Sequence, residues 1–229
     1  YDDIISKYRS FNINFIKELV GFQHGVLTFL AKDEADVVMF TPDDGVYHRE
    51  VDLSEMANQS MKHFVPSIRL GMHLKECHPM GRKPQRLPIF ETRNDGKMLK
   101  WNWSQGDYDW NYPLALDGHM FLKEEMFEMA SKISFRSPTS FEAGLQRPFK
   151  DTWCNERYGL CYPKSRFVSL PWNVITQETN NVNAGIPHEE FKRQWMSGKR
   201  IDTSHIYNTD PIACHQEYEL RWEDRGMKG

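Results

Sequence analysis

Two adjacent carboxylates stand near the start of the chain, just after a short apolar run. Thr41-Pro42 separate the run, residues 37–40, from Asp43 and Asp44. Neighbouring carboxylates repel each other unless they share a cation or a proton. Hard cations such as Mg²⁺ or Mn²⁺ bind carboxylate and phosphate oxygens together. Because Pro-Asp-Asp-Gly is also ordinary turn sequence, the pair indicates either a metal site or a simple turn.

A third carboxylate, Asp117, lies in the sequence Leu-Asp-Gly-His at the start of a predicted helix over residues 119–133. Aspartate is a common helix N-cap, which is one role for this residue. The other is to act as a general base or to bind the hydroxyl of an acceptor, since a base must lie within hydrogen-bond reach of its proton. Both roles remain open at this stage.

Histidines and cysteines offer further ligands. His215 follows Cys214 late in the chain, and a histidine from a distant segment can complete a metal site around the acid pair. The Cys-His pairs at 77–78 and 214–215, with Cys154 and Cys161, also allow a zinc site, although the last two cysteines are spaced more widely than in common zinc modules.

An aromatic stretch over residues 101–112 contains Trp101, Trp103, Trp110 and Tyr112 among Asn, Asp, Gln and Gly. Aromatic rings in polar sequence are typical of surfaces that stack on sugars or bases. Large rings that anchor a long loop give the same pattern. The stretch therefore indicates a binding platform or a packed loop.

Composition narrows the class of protein. The 229 residues are enough for one substantial domain or two small ones. They are 39% hydrophobic with a net charge of −3, which gives no electrostatic argument for nucleic acid or anionic membranes. No apolar run is long enough for a bilayer span and no signal peptide is visible. With only four cysteines, we expect a reduced, cytoplasmic protein. Glycine-rich phosphate loops and the GxSxG elbow are absent from the sequence.

Periodicity predicts an open α/β sheet. A strand over 12–15, a helix over 16–32 and a buried central strand over 37–40 follow one another. Later segments predict a helix over 52–63 and a helix over 140–145, strands over 66–71, 98–103 and 167–170, and a helix over 189–196. In open α/β sheets, ligands bind beyond the carboxyl ends of strands, which is where Asp43 and Asp44 stand.

Several segments together resemble a known family. They are, in order, FNINFIKE, DVVMFTPDDGVY, PSIRLGMHLKEC, YPLALDGHMF, SPTSFEAGLQ, SRFVSLPWNVITQETNN and NTDPIACHQEYEL. The order resembles bacterial glycosyltransferase-like proteins, largely uncharacterised, with the GT-A fold of nucleotide-diphospho-sugar transferases. YPLALDGHMF is the most specific segment. The resemblance implies one glycosyltransferase-like domain over 1–229, truncated at its N-terminal end, with an open mixed sheet flanked by helices that lacks the first strand.

The resemblance also implies a function. A sugar would pass from a nucleotide-diphospho-sugar donor to a carbohydrate or other hydroxyl acceptor. Mn²⁺ or Mg²⁺ would bind to Asp43, Asp44 and His215, and Asp117 would be the catalytic residue. The remaining expected ligands are Arg69 for a donor phosphate, and Trp101, Trp103, Trp110, Tyr112 and His119 for the acceptor.

Two alternatives remain open. One is a non-catalytic carbohydrate-binding protein of the same fold. The other is a metal-dependent hydrolase that uses the same acid pair with His48 or His119 as the base that activates water. Transfer, binding and hydrolysis of a nucleotide sugar separate the three.

Overall fold

The computed structural model describes residues 5, 6, 8, 10–172 and 184–226. Within these ranges the chain has a mixed α/β fold, which confirms the predicted class. The helices are α1 (Phe22–Lys32), α2 (Leu53–Ala57), α3 (Lys123–Ser131), α4 (Pro138–Glu156) and α5 (His188–Met196). The strands are β1 (Val37–Met39), β2 (Gly45–Tyr47), β3 (Phe64–Ser67), β4 (Glu76–Cys77), β5 (Lys83–Pro84), β6 (Glu91–Arg93), β7 (Met98–Asn102), β8 (Met120–Leu122), β9 (Tyr158–Cys161), β10 (Phe167–Ser169), β11 (Lys199–Asp202) and β12 (Arg221–Asp224).

The main sheet has the order β3–β9–β7–β6. Strands β3 and β9 are parallel, whereas β7 is antiparallel to both of its neighbours, so the sheet is mixed. An antiparallel bridge between Ser67 and His119 brings β8 beside β3, and β1 pairs antiparallel with β8. The strand-like segments β1, β8 and β3 therefore lie side by side.

A second group of strands lies at the candidate site. Strand β2 pairs antiparallel with β10, with Gly45 opposite Ser169. On the other side of Ser169, His215 forms an isolated parallel bridge. The segment before β2 and the C-terminal segment therefore flank the end of β10.

The core explains the aromatic stretch. Trp101, Trp103 and Trp110 are each at most 1% exposed and contact one another edge to face. The Trp101 indole donates to the backbone carbonyl of Trp110, and the Trp110 indole donates to the carbonyl of Leu74, both at 3.3 Å. Buried indoles that find such acceptors contribute apolar area without an unpaired polar group. The tryptophans thus anchor the loop that leads to Asp117.

Several predicted elements have different bounds. Residues 12–15 form no strand, and α1 begins only at Phe22, after Gly21 in a left-handed conformation. β1 pairs only with β8 among the described strands, so it lies at an edge and is not the central strand that was predicted. The predicted strand 98–103 is β7, which lies between β9 and β6 in the main sheet. The helix predicted over 52–63 is the shorter α2, and Asp52 caps it because its side chain accepts from the Glu55 amide.

Two sequence expectations concern the whole chain. None of the helices in the described ranges combines the length and apolar character that crossing a bilayer requires. All four cysteines lie in described segments and carry free thiols.

Candidate functional site

Three separate segments of the chain converge on the carboxylate of Asp117. Arg69 Nη1 donates to its Oδ2 at 3.2 Å. The Ser169 hydroxyl lies 3.2 Å from both carboxylate oxygens, and His215 Nε2 lies 3.7 Å from Oδ2. The side chain of Asp117 is only 10% exposed, so the carboxylate is largely buried among these partners.

Asp117 is placed by its neighbours on either side. The amide of Leu116 donates to the buried carboxylate of Glu142 at 2.7 Å. Gly118 has φ 78°, and its amide and carbonyl bond to the backbone of Phe40 and Ile68. A Cβ at Gly118 would lie 2.9 Å from a side-chain carbon of Ile68, so glycine is needed there for both conformation and space. The turn that presents Asp117 is therefore fixed at each residue.

The capping role predicted as one option for Asp117 is wrong. Asp117 precedes the strand β8, not a helix, because Met120–Leu122 pair with β1. The helix that follows begins at Lys123, and its N-cap position is Leu122. Asp117 therefore does not cap a helix.

Asp44 lies beside the end of β10, whose Ser169 contacts the Asp117 carboxylate. Its carbonyl accepts from the amide of Leu170, directly after β10. The pKa of Asp44 is raised to about 6, mainly by burial, and the negative charges of Asp117 and Asp43 contribute in the same direction. Asp43 is exposed at the rim. The structure therefore brings Asp44 and Asp117 together, with Asp43 on the solvent side.

His215 reaches the site through backbone pairing. The amide of Ser169 donates to the Cys214 carbonyl, and the amide of Gln216 donates to the Ser169 carbonyl, both at 3.0 Å. Burial lowers the pKa of His215, although the nearby Asp117 acts in the opposite direction. The imidazole is therefore neutral at pH 7, and its side chain remains 29% exposed. A neutral, partly open imidazole is a suitable metal ligand.

The residues present fit a divalent cation bound together with a diphosphate. Asp44, Asp43 and Asp117 repel one another, as the raised pKa of Asp44 shows, and a cation relieves such repulsion. Across the described ranges, no three His, Cys, Asp or Glu side chains already form a metal cluster. Mg²⁺ usually binds to one or two protein carboxylates and takes its remaining ligands from phosphate and water. Asp44 and His215 are of the ligand types that suit such binding. The lack of a cluster of three ligands in the described ranges gives no support to the zinc alternative.

Arg69 does not have the expected role. Its side chain is 4% exposed, Nη1 contacts Asp117, and Nη2 forms an ion pair with the buried Asp109. Both ends of the guanidinium are thus occupied by carboxylates, so the prediction that Arg69 holds a donor phosphate is wrong. Because a buried charge needs a partner, Arg69 instead fixes the position of Asp117.

The predicted acceptor platform also needs correction. Trp101, Trp103 and Trp110 lie in the core, so their faces are not available for stacking on a sugar. Tyr112 is half-buried and donates to Glu142 at 3.0 Å. His119 is 1% exposed, with Nδ1 on the carbonyl of Pro113 at 3.1 Å. These aromatic side chains support the turn at Asp117 from inside.

The two histidines considered as hydrolytic bases are buried away from solvent. Burial lowers the pKa of His119 to about 3, with a further contribution from Arg69. His48 is fully buried, and its Nε2 lies 3.0 Å from the hydroxyl of Ser165. Neither imidazole is accessible to water, which gives no support to the hydrolase alternative.

Sequence reasoning missed Ser169 and Asp109. Ser169 is a polar residue at the end of the apolar strand Phe167–Ser169, and this placement is a detectable signal. Asp109 lies among the tryptophans and resembles any other polar loop residue in the sequence. Its pairing with Arg69 depends on the folded loop, so no local pattern indicates it.

One comparison connects the chain with a known class of enzyme. It is 28% identical over 170 residues to the bifunctional glycosyltransferase pgtA of Dictyostelium discoideum. The match covers 65% of this chain and 22% of that protein, so the chain spans about a fifth of its relative's length. No family model matches the chain, and no solved structure gives a significant match. The chain is thus similar to a glycosyltransferase.

Proposed function

We propose that this chain transfers a glycosyl group from a nucleotide-diphospho-sugar donor to the hydroxyl group of an acceptor. The observation that carries the proposal is the convergence of Asp44, Asp117 and His215 from three distant segments on one partly open site. The similarity to a glycosyltransferase supports the same class of reaction. We further propose a GT-A-like arrangement, in which the acid pair follows a strand of an open mixed sheet.

Asp44 and His215 would hold Mn²⁺ or Mg²⁺ in this proposal, and the exposed Asp43 would contribute from the rim. When bound, the cation would neutralise the charge that develops on the departing diphosphate. The protein supplies a half-buried carboxylate and a neutral imidazole on either side of Ser169. Backbone hydrogen bonds to the end of β10 fix the chain at both residues.

Asp117 would orient the acceptor hydroxyl and accept its proton. Arg69 and Ser169 contact the carboxylate and fix its rotamer. A base held in this way does not have to reorganise when the acceptor arrives. Asp109 neutralises the second end of Arg69, so the buried guanidinium imposes no unpaired charge on the site.

The decisive experiment follows one nucleotide sugar with and without an acceptor, in the presence of Mn²⁺. A panel of uridine and guanosine diphosphate sugars is incubated with simple hexoses, and both the glycoside and the free sugar are measured. Transfer that needs the acceptor and is lost in Asp44→Asn supports the proposal. Asp151→Asn, an exposed position on α4, is the matched control and should be fully active.

The other outcomes are equally clear. If free sugar is released at the same rate without an acceptor, the protein is a hydrolase and the transfer proposal is wrong. Binding of the nucleotide sugar without turnover, across the whole panel, would favour a carbohydrate-binding protein.

A further inference from the structure

His215 has a fixed backbone but a weakly held ring. Ser169 pairs with the backbone on either side of it. Its Nδ1 is buried and has no hydrogen-bond partner in the described part of the chain. Its Nε2 lies 3.7 Å from Asp117, too far for a hydrogen bond. Ring packing must therefore decide the direction of Nε2.

The ring of His78 supplies this packing. The two imidazoles stack with centroids 6.4 Å apart and an interplanar angle of 30°. His78 itself is 3% exposed, and its Nε2 lies 3.2 Å from Glu217 Oε1. The other oxygen of Glu217 lies 3.2 Å from Arg82. His78 thus has a fixed ring that the His215 ring can pack against.

This contact joins two segments that are also joined through their backbones. His78 follows β4 in the β4–β5 hairpin. The amides of Lys75 and Glu76 both donate to the carbonyl of Ile212, at 2.8 and 3.0 Å. The hairpin and the segment 212–217 therefore form one unit, with His78 and Glu217 at its centre.

We propose that His78 and Glu217 are positioning residues that hold the imidazole of His215 in its ligand orientation. The proposal rests on the proposed function, in which His215 binds the divalent cation. Groups that orient a metal-binding histidine are commonly worth about 10- to 100-fold in metal affinity. His78 acts by ring contact, and Glu217 acts by fixing His78.

The test measures the dissociation constant of Mn²⁺ in the presence of uridine diphosphate, from the spin-resonance signal of free Mn²⁺. We expect Glu217→Ala and His78→Leu to weaken Mn²⁺ binding about tenfold or more. Glu217→Gln should restore most of the affinity, because its amide oxygen still accepts from His78 Nε2. Glu219→Ala is the control, since Glu219 is exposed on the same segment and pairs only with Arg221 in the described contacts.

The variants separate the possible causes. If Glu217→Gln loses as much affinity as Glu217→Ala, the loss is due to charge and the positioning role is overturned. If His215→Ala binds Mn²⁺ as tightly as the wild type, or the wild type binds none, the proposed metal role of His215 fails. If His215→Ala loses affinity while His78→Leu and Glu217→Ala keep it, only the positioning inference fails. Melting temperatures of all variants exclude unfolding as the cause.

Discussion

The imidazole of His215 and the carboxylate of Asp117 face each other with Nε2 and Oδ2 separated by 3.7 Å. Ser169 contacts both residues, through its hydroxyl to Asp117 and through its backbone to the chain around His215. Burial lowers the pKa of His215, so at neutral pH this is a neutral imidazole beside a carboxylate and not an ion pair. Such a pair leaves the ring nitrogen free for a cation.

The first prediction concerns Asp117→Asn. Asparagine keeps the size of the side chain and one acceptor oxygen but removes the base, so we expect transfer to fall by roughly 10²–10⁴. Arg69 keeps Asp109 as its partner, so the fold should persist. Rates of glycoside formation and thermal melting on one preparation measure both effects.

Asp109→Asn is the matched control for this prediction. It removes the other carboxylate from the same guanidinium, one that forms no hydrogen bond with Ser169 or His215 in the described part of the chain. We expect comparable destabilisation, with the transfer rate per folded molecule within a fewfold of the wild type. If transfer falls equally in the two variants, Asp117 affects transfer only by balancing the buried charge of Arg69 and is not the base.

The second prediction concerns Ser169. Ser169→Ala removes the hydroxyl that lies 3.2 Å from both oxygens of Asp117. The loss of one buried hydrogen bond should cost about 1 kcal/mol of unfolding free energy. Because the carboxylate is then less well fixed, we expect kcat for transfer to fall about tenfold with a smaller change in KM.

Ser67→Ala provides the comparison. Ser67 is equally buried and accepts from the Leu70 amide at 3.2 Å, but it forms no hydrogen bond with Asp117 in the part of the chain that the structure describes. Its unfolding free energy should fall by a similar amount, whereas kcat should stay near that of the wild type. If kcat falls by the same amount in Ser67→Ala, the effect of Ser169→Ala is not due to its contact with Asp117.

The outline of the fold could be predicted from the sequence, but the partners of the site residues could not. The apolar run before Asp43 predicts β1, because a short run of apolar residues suits a strand. The residues after Asp117 also have helical spacing, so the start of the helix was placed too early. Pairing of β8 with β1 and its bridge to β3 select a strand at residues 120–122, and tertiary contacts of this kind override local preference.

The aromatic stretch over residues 101–112 also shows that sequence patterns do not reveal which residues become partners in the fold. One of its polar residues is satisfied locally, since Asn102 accepts from the Ser104 amide at 2.8 Å, whereas Asp109 pairs with the distant Arg69. The polar residues around the tryptophans left both a binding platform and a packed loop open, and the structure shows the packed loop. Likewise, the position of Arg69 could be read from the sequence, but its burial between Asp109 and Asp117 depends on the folded loop.

The third prediction concerns pH and a polar cluster around Ser165. The hydroxyl of Ser165 lies 3.0 Å from Nε2 of both His48 and His73. Burial lowers the pKa of each histidine from 6.5 to about 4. The charged groups that act on the pair are Arg49, Lys164 and Arg166, which lower the pKa values, and Asp210, which raises that of His73.

Because the folded pKa values lie below the unfolded ones, the unfolded chain binds more protons between pH 6.5 and 4. The contribution of these two histidines to the free energy of unfolding should therefore fall as the pH drops through this window and level off near pH 4, while the raised pKa of Asp44 acts in the opposite direction. For the fully buried His48 the loss is about 3 kcal/mol, at about 1.4 kcal/mol per pKa unit. Denaturant unfolding from pH 7.5 to 4 measures it.

His48→Gln should flatten this pH dependence, since glutamine does not titrate. His188→Gln, at a histidine whose side chain is 75% exposed, should leave the slope unchanged. An unchanged slope in His48→Gln would show that other groups cause the acid sensitivity.

The last prediction compares two glycines. A Cβ at Gly45 would lie 1.9 Å from a ring carbon of Phe167, whereas nothing lies within 4 Å of a Cβ at Gly25. Gly45→Ala must displace the Phe167 ring or β2, so we expect a loss of about 1–3 kcal/mol in unfolding free energy. Since Gly45 directly follows Asp44, Mn²⁺ affinity in the presence of uridine diphosphate should fall as well. Gly25→Ala, inside α1, should instead stabilise the protein by about 0.5–1 kcal/mol and leave Mn²⁺ affinity unchanged. Adding Phe167→Leu to Gly45→Ala frees space at the contact, and it should recover part of both losses if the close approach of β2 to β10 is what places Asp44.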